Sequence, residues 1–316
     1  MRVLITGIEG FVGRHLAYAL LRAGHEAFGT VLREVDLEQL RQDLPEVPLD
    51  RADLRFGGSL DRSITCWRPH CIAHCAAQSS GSFSLKNPVT TYRVNVIGTM
   101  NVLEAARLHE WDGRVLIVSS ADVYGNVGSS RLLGENDPLR PINHYAASKA
   151  MAEMVAEQYF HNHGVRTVRV RSFPHTGPGQ SPRFALSSFA KQIALAESSG
   201  GGKLRVGNLE IVRDYLDVRD VVKAYIAVLE DGRDGEVYNV AGGRSHSLRK
   251  LLDDLIGLSE ASIEVVQDDR RMRKVDIEYQ VGDSAKLTRE TGWKPEIGIE
   301  DTLRDLIDYW RGRVAN

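Results

Sequence analysis

The strongest constraint on the fold is a strand-to-helix junction at the start of the chain. Residues 3–6 are a short β-branched apolar run that enters Thr6-Gly7-Ile8-Glu9-Gly10-Phe11-Val12-Gly13 without a break. Helical spacing follows at Val12, Leu16, Ala19 and Leu20 over residues 10–23. A turn of this kind needs glycine for three reasons. One glycine makes the tight turn, one lets backbone approach a pyrophosphate, and one lets strand and helix pack closely with the helix N-terminus facing the phosphates. At this position the pattern predicts a dinucleotide site formed by Gly7, Gly10, Phe11, Val12 and Gly13.

The rest of the first half alternates in the same way. Strands are predicted at 26–31, 71–76, 114–119 and 165–170, and helices at 93–108 and 145–160. Such alternation implies an α/β Rossmann-type doubly wound parallel sheet covered on both faces. After Arg171 the texture changes. Pro174, Gly177, Pro178, Gly179 and Pro182 break the pattern, and short strands and helices mix. Residues 1–170 are therefore expected to bind the dinucleotide. Residues 171–316 are expected to form mainly a smaller C-terminal substrate-binding lobe, with a strand and helix near 215–242 returning to the first domain.

The end of the second strand selects the cofactor. A site for NAD usually presents a carboxylate there for the ribose hydroxyls. This chain reads Phe28-Gly29-Thr30-Val31-Leu32-Arg33, with no acid before Glu34. Thr30 and Arg33 are the candidate contacts, and a guanidinium suits a 2′-phosphate. The reading is NADP(H), with NAD(H) as the alternative.

A catalytic set stands further along. Ser119-Ser120-Ala121-Asp122 closes a buried strand, and Tyr145 and Lys149 share a helix face one turn apart. A tyrosine with an ordinary pKa of about 10 is a poor acid–base at neutral pH. A nearby ammonium is expected to lower that pKa and to hold the nicotinamide ribose. Ser120 would hold a substrate oxygen while Tyr145 moves the proton.

Composition narrows the field. Forty Lys and Arg against 42 Asp and Glu give a net charge of −2, without the basic excess of a nucleic-acid binder or anionic-membrane binder. No apolar run is long enough to span a bilayer, and a cytoplasmic protein is expected. Cys66, Cys71 and Cys75 lack metal-ligand spacing, so no metal site is expected.

The Gly-x-x-Gly-x-x-Gly spacing together with Tyr145-Ala146-Ala147-Ser148-Lys149 resembles the extended short-chain dehydrogenase/reductases. Further segments resemble their nucleotide-sugar epimerase, dehydratase and reductase branch across essentially the whole chain. They are His74-Cys75-Ala76-Ala77-Gln78-Ser79-Ser80, Asn95-Val96-Ile97-Gly98-Thr99, Phe173-Pro174-His175-Thr176-Gly177-Pro178-Gly179-Gln180, Phe189-Ala190-Lys191-Gln192-Ile193, Val206-Gly207-Asn208-Leu209-Glu210, Arg213-Asp214-Tyr215, Tyr238-Asn239-Val240, Arg271-Met272-Arg273 and Gly292-Trp293-Lys294-Pro295.

The resemblance implies cofactor contacts at Asp53, Leu54, Ala76, Ala77, Gln78, Asn95 and Phe173, alongside Tyr145 and Lys149. It implies a sugar pocket at Ser79 and Ser80, and a sugar-diphosphate receptor at Lys191, Asn208, Glu210, Arg213 and Arg273. It also implies a homodimer formed through the helices at 93–108 and 145–160. The implied reaction is NADPH-dependent reduction of the C4 keto group of a GDP-4-keto-6-deoxy-hexose. The alternatives are a nucleotide-sugar 4,6-dehydratase, a 4-epimerase, and, ranked below them, a non-catalytic NADP-binding regulator. Asp122 stands where the dehydratases carry glutamate, and its shorter reach favours plain reduction while leaving it a candidate base. Pro174 replaces the family's asparagine, and Arg273-Lys274-Val275-Asp276 departs from the family's late arginine motif.

Overall fold

The computed structural model describes residues 1–127, 131–272 and 276–315. Its centre is a seven-stranded sheet, all parallel. The strands are β1 (Arg2–Thr6), β2 (Glu26–Val31), β3 (Leu49–Arg51), β4 (Cys71–His74), β5 (Arg114–Ser120), β6 (Thr167–Ser172) and β7 (Val237–Val240). Their order is β7-β6-β5-β4-β1-β2-β3. The chain moves outward from β1 in one direction, then crosses over and moves outward in the other. The switch point lies between β1 and β4, where ligands of open α/β sheets bind beyond the strands' C-terminal ends. The Rossmann-type parallel sheet expected from the alternation is the one observed.

Each face of the sheet is dry. On one face Val3, Ile5, Leu116 and Val168 pack against the helices Phe11–Arg22 and Val218–Asp231. On the other, Leu4, Ile72, Val115 and Ile117 meet Val102, Leu103 and Ala106 of the helix Gly98–Leu108. A separate apolar cluster holds the helices Ala185–Ser198, Leu248–Gly257 and Ile299–Val314 together, with Leu204 and Val206 from a two-stranded parallel ribbon. The strand β7 and the helix Val218–Asp231 belong to the main sheet and its core.

Two local departures have clear causes. The helix expected over 93–108 opens as a π-turn, Arg93–Ile97, before continuing as α-helix. Such turns occur where a side chain competes for the backbone; here Asn95 is buried, and Thr99 Oγ1 donates to the Asn95 carbonyl at 2.7 Å. The strand expected at 165–170 is shifted to Thr167–Ser172. The preceding helix, His144–His163, ends on Gly164 at φ 68°, and Val165 N–H returns to the Tyr159 carbonyl, so pairing starts later.

Candidate active site

The glycine turn is a tightly built cradle. Gly7 has φ +69° and its N–H donates to the Thr30 carbonyl at 3.0 Å. A Cβ on Gly7 would lie 2.7 Å from the Ala76 Cα, and one on Gly13 would lie 2.5 Å from the Gly7 carbonyl oxygen. Only glycine fits either position, and the backbone stays low enough for a pyrophosphate to sit over the helix N-terminus. Gly10, by contrast, is exposed. Gly13→Ala is therefore expected to weaken dinucleotide binding by about tenfold or more, since backbone against backbone must shift. Isothermal titration with NADPH measures it.

The candidate catalytic side chains converge at the end of β5. The helix His144–His163 is started by Asn143, whose Oδ1 accepts from Ala146 N–H at 2.8 Å. It carries Tyr145 and Lys149 against β5. The Ser120 hydroxyl lies close enough to the Tyr145 phenol to act on its pKa. Asp122 opens the 3-10 turn Ala121–Tyr124, and its N–H donates to Ser120 Oγ at 3.2 Å. Lys149 Nζ donates to the Val118 carbonyl at 2.8 Å.

The electrostatics correct one expectation. Burial, and secondarily the charge of Asp122, raise the Tyr145 pKa above the ordinary phenol range, with the neighbouring Ser120 hydroxyl opposing. In the protein by itself Lys149 does not lower it, because its ammonium is turned to the β5 backbone. Burial brings Lys149 down to about 8 against the opposing influence of Cys75 and Glu153. Tyr145 is thus a neutral phenol at neutral pH and a proton donor.

Several expected ligand contacts are occupied by the fold itself. Thr30, Asn95 and Phe173 are all buried and do not face open space. Thr30 works through its carbonyl, which accepts from Gly7 and Ile8. Asn95 Oδ1 accepts from Gln78 N–H at 2.8 Å, and its amide donates to the Gln78 carbonyl and to Ser148 Oγ. It clamps the Ala76–Gln78 loop to the catalytic helix. Phe173 packs on Tyr124. Gln78 turns its amide to the Ser80 backbone, and Ser80 caps the helix Gly81–Lys86 while Ser79 is exposed.

Arg33 is at the expected strand end and exposed, but its guanidinium donates to both oxygens of Asp36, at 2.8 and 2.7 Å. Asp53 holds Arg55, which lowers its pKa, and the Leu54 carbonyl accepts from Asn101. Ala76 N–H reaches Thr6 Oγ1, and Ala77 follows it, half-buried.

The substrate-side candidates are dispersed. Lys191 Nζ stands 5.3 Å from the Trp310 ring centre, a cation–π position within the second lobe. Asn208 Oδ1 accepts from Glu210 N–H, and exposed Glu210 pairs with Arg249. Arg213 is buried and faces Asp276 at 3.3 Å. Its register partner Gln280 donates to the Ala121 carbonyl, which ties this strand to the catalytic turn. Arg273 lies outside the described residues.

Sequence reasoning missed the network behind the catalytic helix. Glu153 lies one turn past Lys149 and takes three hydrogen bonds from Arg171 on β6 (two from Nε, one from Nη2) and one from Ser119. Arg171 also donates to Tyr124 Oη at 3.0 Å. A charged residue within the buried strand β6 was the available signal. His74 was missed too. It bridges Thr6 and Thr99 at 2.8 and 3.0 Å, and burial lowers its pKa to about 3, so it is a neutral structural link.

The family model for GDP-mannose 4,6-dehydratase matches residues 4–306. The chain belongs to the GDP-mannose 4,6-dehydratase family. It is thereby an extended short-chain dehydrogenase/reductase, as its motifs implied. Within this family's wider relatives, GDP-6-deoxy-D-mannose reductase of Pseudomonas aeruginosa is 36% identical over 315 residues, spanning 99% of this chain and 98% of its own. The solved structure of RMD from Pseudomonas aeruginosa complexed with NADPH matches with a TM-score of 0.85 and 34% identity, over 99% of this chain and 100% of that one. UDP-glucose 4-epimerase of Thermus thermophilus, solved with NAD, matches with a TM-score of 0.85 at 30% identity over 99% of both chains. The scaffold is thus shared by relatives solved with NADPH and with NAD.

Proposed function

We propose that the protein is an NADPH-dependent reductase of the C4 keto group of a GDP-4-keto-6-deoxy-hexose, converting GDP-4-keto-6-deoxy-D-mannose to a GDP-D-rhamnose-type product. The observation that carries this is the grouping of Ser120, Tyr145 and Lys149 at the open end of the sheet. Full-length similarity to GDP-6-deoxy-D-mannose reductase supports the substrate class. The residues around the glycine turn fit a dinucleotide, because a cradle that any Cβ would fill has been left clear. When bound, the dinucleotide supplies hydride.

In this reading Ser120 and Tyr145 hold the C4 oxygen, and the neutral Tyr145 phenol donates its proton to it as charge develops there. Lys149 positions the ribose and restores the proton. Asn95 sets the floor of the cofactor cleft by clamping Gln78. The lobe built from the helices Ala185–Ser198, Leu248–Gly257 and Ile299–Val314 is assigned to the sugar nucleotide, with Arg213 at its junction with the catalytic turn. Ile97, Met100, Met151 and Met154 are exposed on the two helices expected to pair subunits, an apolar face that suits a homodimer. No helix among the described residues is long and apolar enough to cross a membrane, and all three cysteines are unpaired, in keeping with a cytoplasmic setting.

Mixing the protein with NADPH and GDP-4-keto-6-deoxy-D-mannose is expected to consume one NADPH per reduced sugar, followed by nicotinamide absorbance. Asp122 sits close enough to influence Tyr145 electrostatically, so one observation favours a second reading, a 4,6-dehydratase. Formation of a keto sugar from GDP-mannose without added nicotinamide, and no NADPH consumption with the keto sugar, would establish that reading instead.

A further inference from the structure

We infer that Glu9 reads the adenosine ribose of the dinucleotide, and that its carboxylate opens the site to NADH by opposing a 2′-phosphate. The inference rests on the reading of the glycine turn as a nicotinamide-dinucleotide site.

The position of the side chain is the first ground. Dinucleotide folds place a ribose-reading acid at the end of β2, and β2 here ends Thr30-Val31 with none. Glu9, between the first two glycines of the turn, reaches over to that same point. Its Oε1 accepts from the N–H of Leu32, the first residue past β2, at 3.3 Å. The acid missing from the strand is supplied by the loop.

A second ground is the state of the other oxygen. Glu9 Oε2 is buried and has no hydrogen-bond partner among the described residues. A buried carboxylate oxygen without a donor is unfavourable and uncommon. The ribose hydroxyls of an unphosphorylated adenosine are donors that would satisfy it. A 2′-phosphate dianion offers no proton and adds like charge.

Arg33 supplies the third. It is the cation expected to clamp a 2′-phosphate, and its Nε–Nη2 edge is engaged by Asp36, at 2.8 and 2.7 Å. Glu9 and Asp36 both lie close enough to Arg33 to shift it electrostatically. A phosphate approaching Arg33 here meets the negative charge of both carboxylates. An uncharged ribose hydroxyl meets no such repulsion.

The test is binding, measured by calorimetry on the full chain with NADPH, NADH, 2′,5′-ADP and 5′-ADP as separate ligands. Wild type is expected to bind NADH within about tenfold of NADPH, and Glu9→Gln to shift the NADPH-to-NADH affinity ratio toward NADPH by about tenfold or more. The same shift is expected for 2′,5′-ADP against 5′-ADP, which isolates the adenosine end. Asp36→Asn keeps Glu9 in place and is expected to tighten NADPH while leaving NADH unchanged. Both variants are checked for folding by thermal melting. A wild type that binds NADPH far more tightly than NADH, with a ratio that Glu9→Gln leaves where it was, overturns the inference while the dinucleotide reading stands. Failure of wild type to bind any of the four ligands removes the dinucleotide reading and the inference with it.

Discussion

Tyr145→Phe is expected to lower turnover about 10²–10⁴-fold while the dinucleotide still binds. The phenol is a neutral proton donor beside Ser120. Reduction of a ketone generates an alkoxide, and without a donor within hydrogen-bond reach that charge must be met by Ser120 alone. Phenylalanine keeps the ring and its packing and removes only the hydroxyl. The effect should therefore appear in kcat, with little change in Kd for NADPH. Lys149 Nζ is held by the Val118 carbonyl independently of the tyrosine, so ribose positioning should survive the change. Near wild-type kcat in this variant would mean that the proton comes from elsewhere, with Asp122 the first group to examine.

The second large effect is on stability. Arg171 and Glu153 form an ion pair at 2.8 Å whose side chains are 7% and 2% exposed. Removing one partner leaves a buried charge without compensation, at a cost of about 3–5 kcal/mol. Glu153→Met or Arg171→Met alone is expected to lose stability in that range. At roughly 2–4 °C per kcal/mol, the melting temperature should fall by about 10 °C. Replacing both residues by methionine should recover most of the loss, because the destabilising element is the unpaired charge and the pair itself is close to neutral against an apolar substitute. Urea unfolding of the two single variants and the double variant measures the coupling directly. If each single variant lost less than about 1 kcal/mol, water or another group must reach the orphaned charge.

The same pair matters for catalysis by position. Glu153 stands one turn beyond Lys149 and also accepts from Ser119, the residue before Ser120. Arg171 continues the network to Tyr124, whose hydroxyl donates to Asn239 on β7 at 2.7 Å. The catalytic helix is therefore pinned to three strands through polar contacts in a dry interior. Satisfied networks of this kind hold one geometry.

The sequence by itself determined the scaffold and put Tyr145 and Lys149 one turn apart on a helix. Strand and helix periodicity, the glycine turn and the one-turn spacing of Tyr145 and Lys149 all depend on neighbours within a few residues, so they are legible without knowing what packs where. The seven-stranded parallel sheet and the junction at Gly7–Gly13 came out as read. What the tertiary structure alone decided is which polar groups are already satisfied by the protein. Thr30, Asn95, Phe173 and Lys191 were all reasonable ligand contacts by position, and each is claimed by a distant partner: the glycine turn, the Gln78 loop, Tyr124 and Trp310. Glu9 went the other way. It reads as filler in a turn until β1 and β2 lie side by side and bring its carboxylate to Leu32 N–H. A buried hydrogen bond is made with whatever the packing of separate elements puts within about 3 Å, and that proximity is a property of the folded chain that local patterns do not carry.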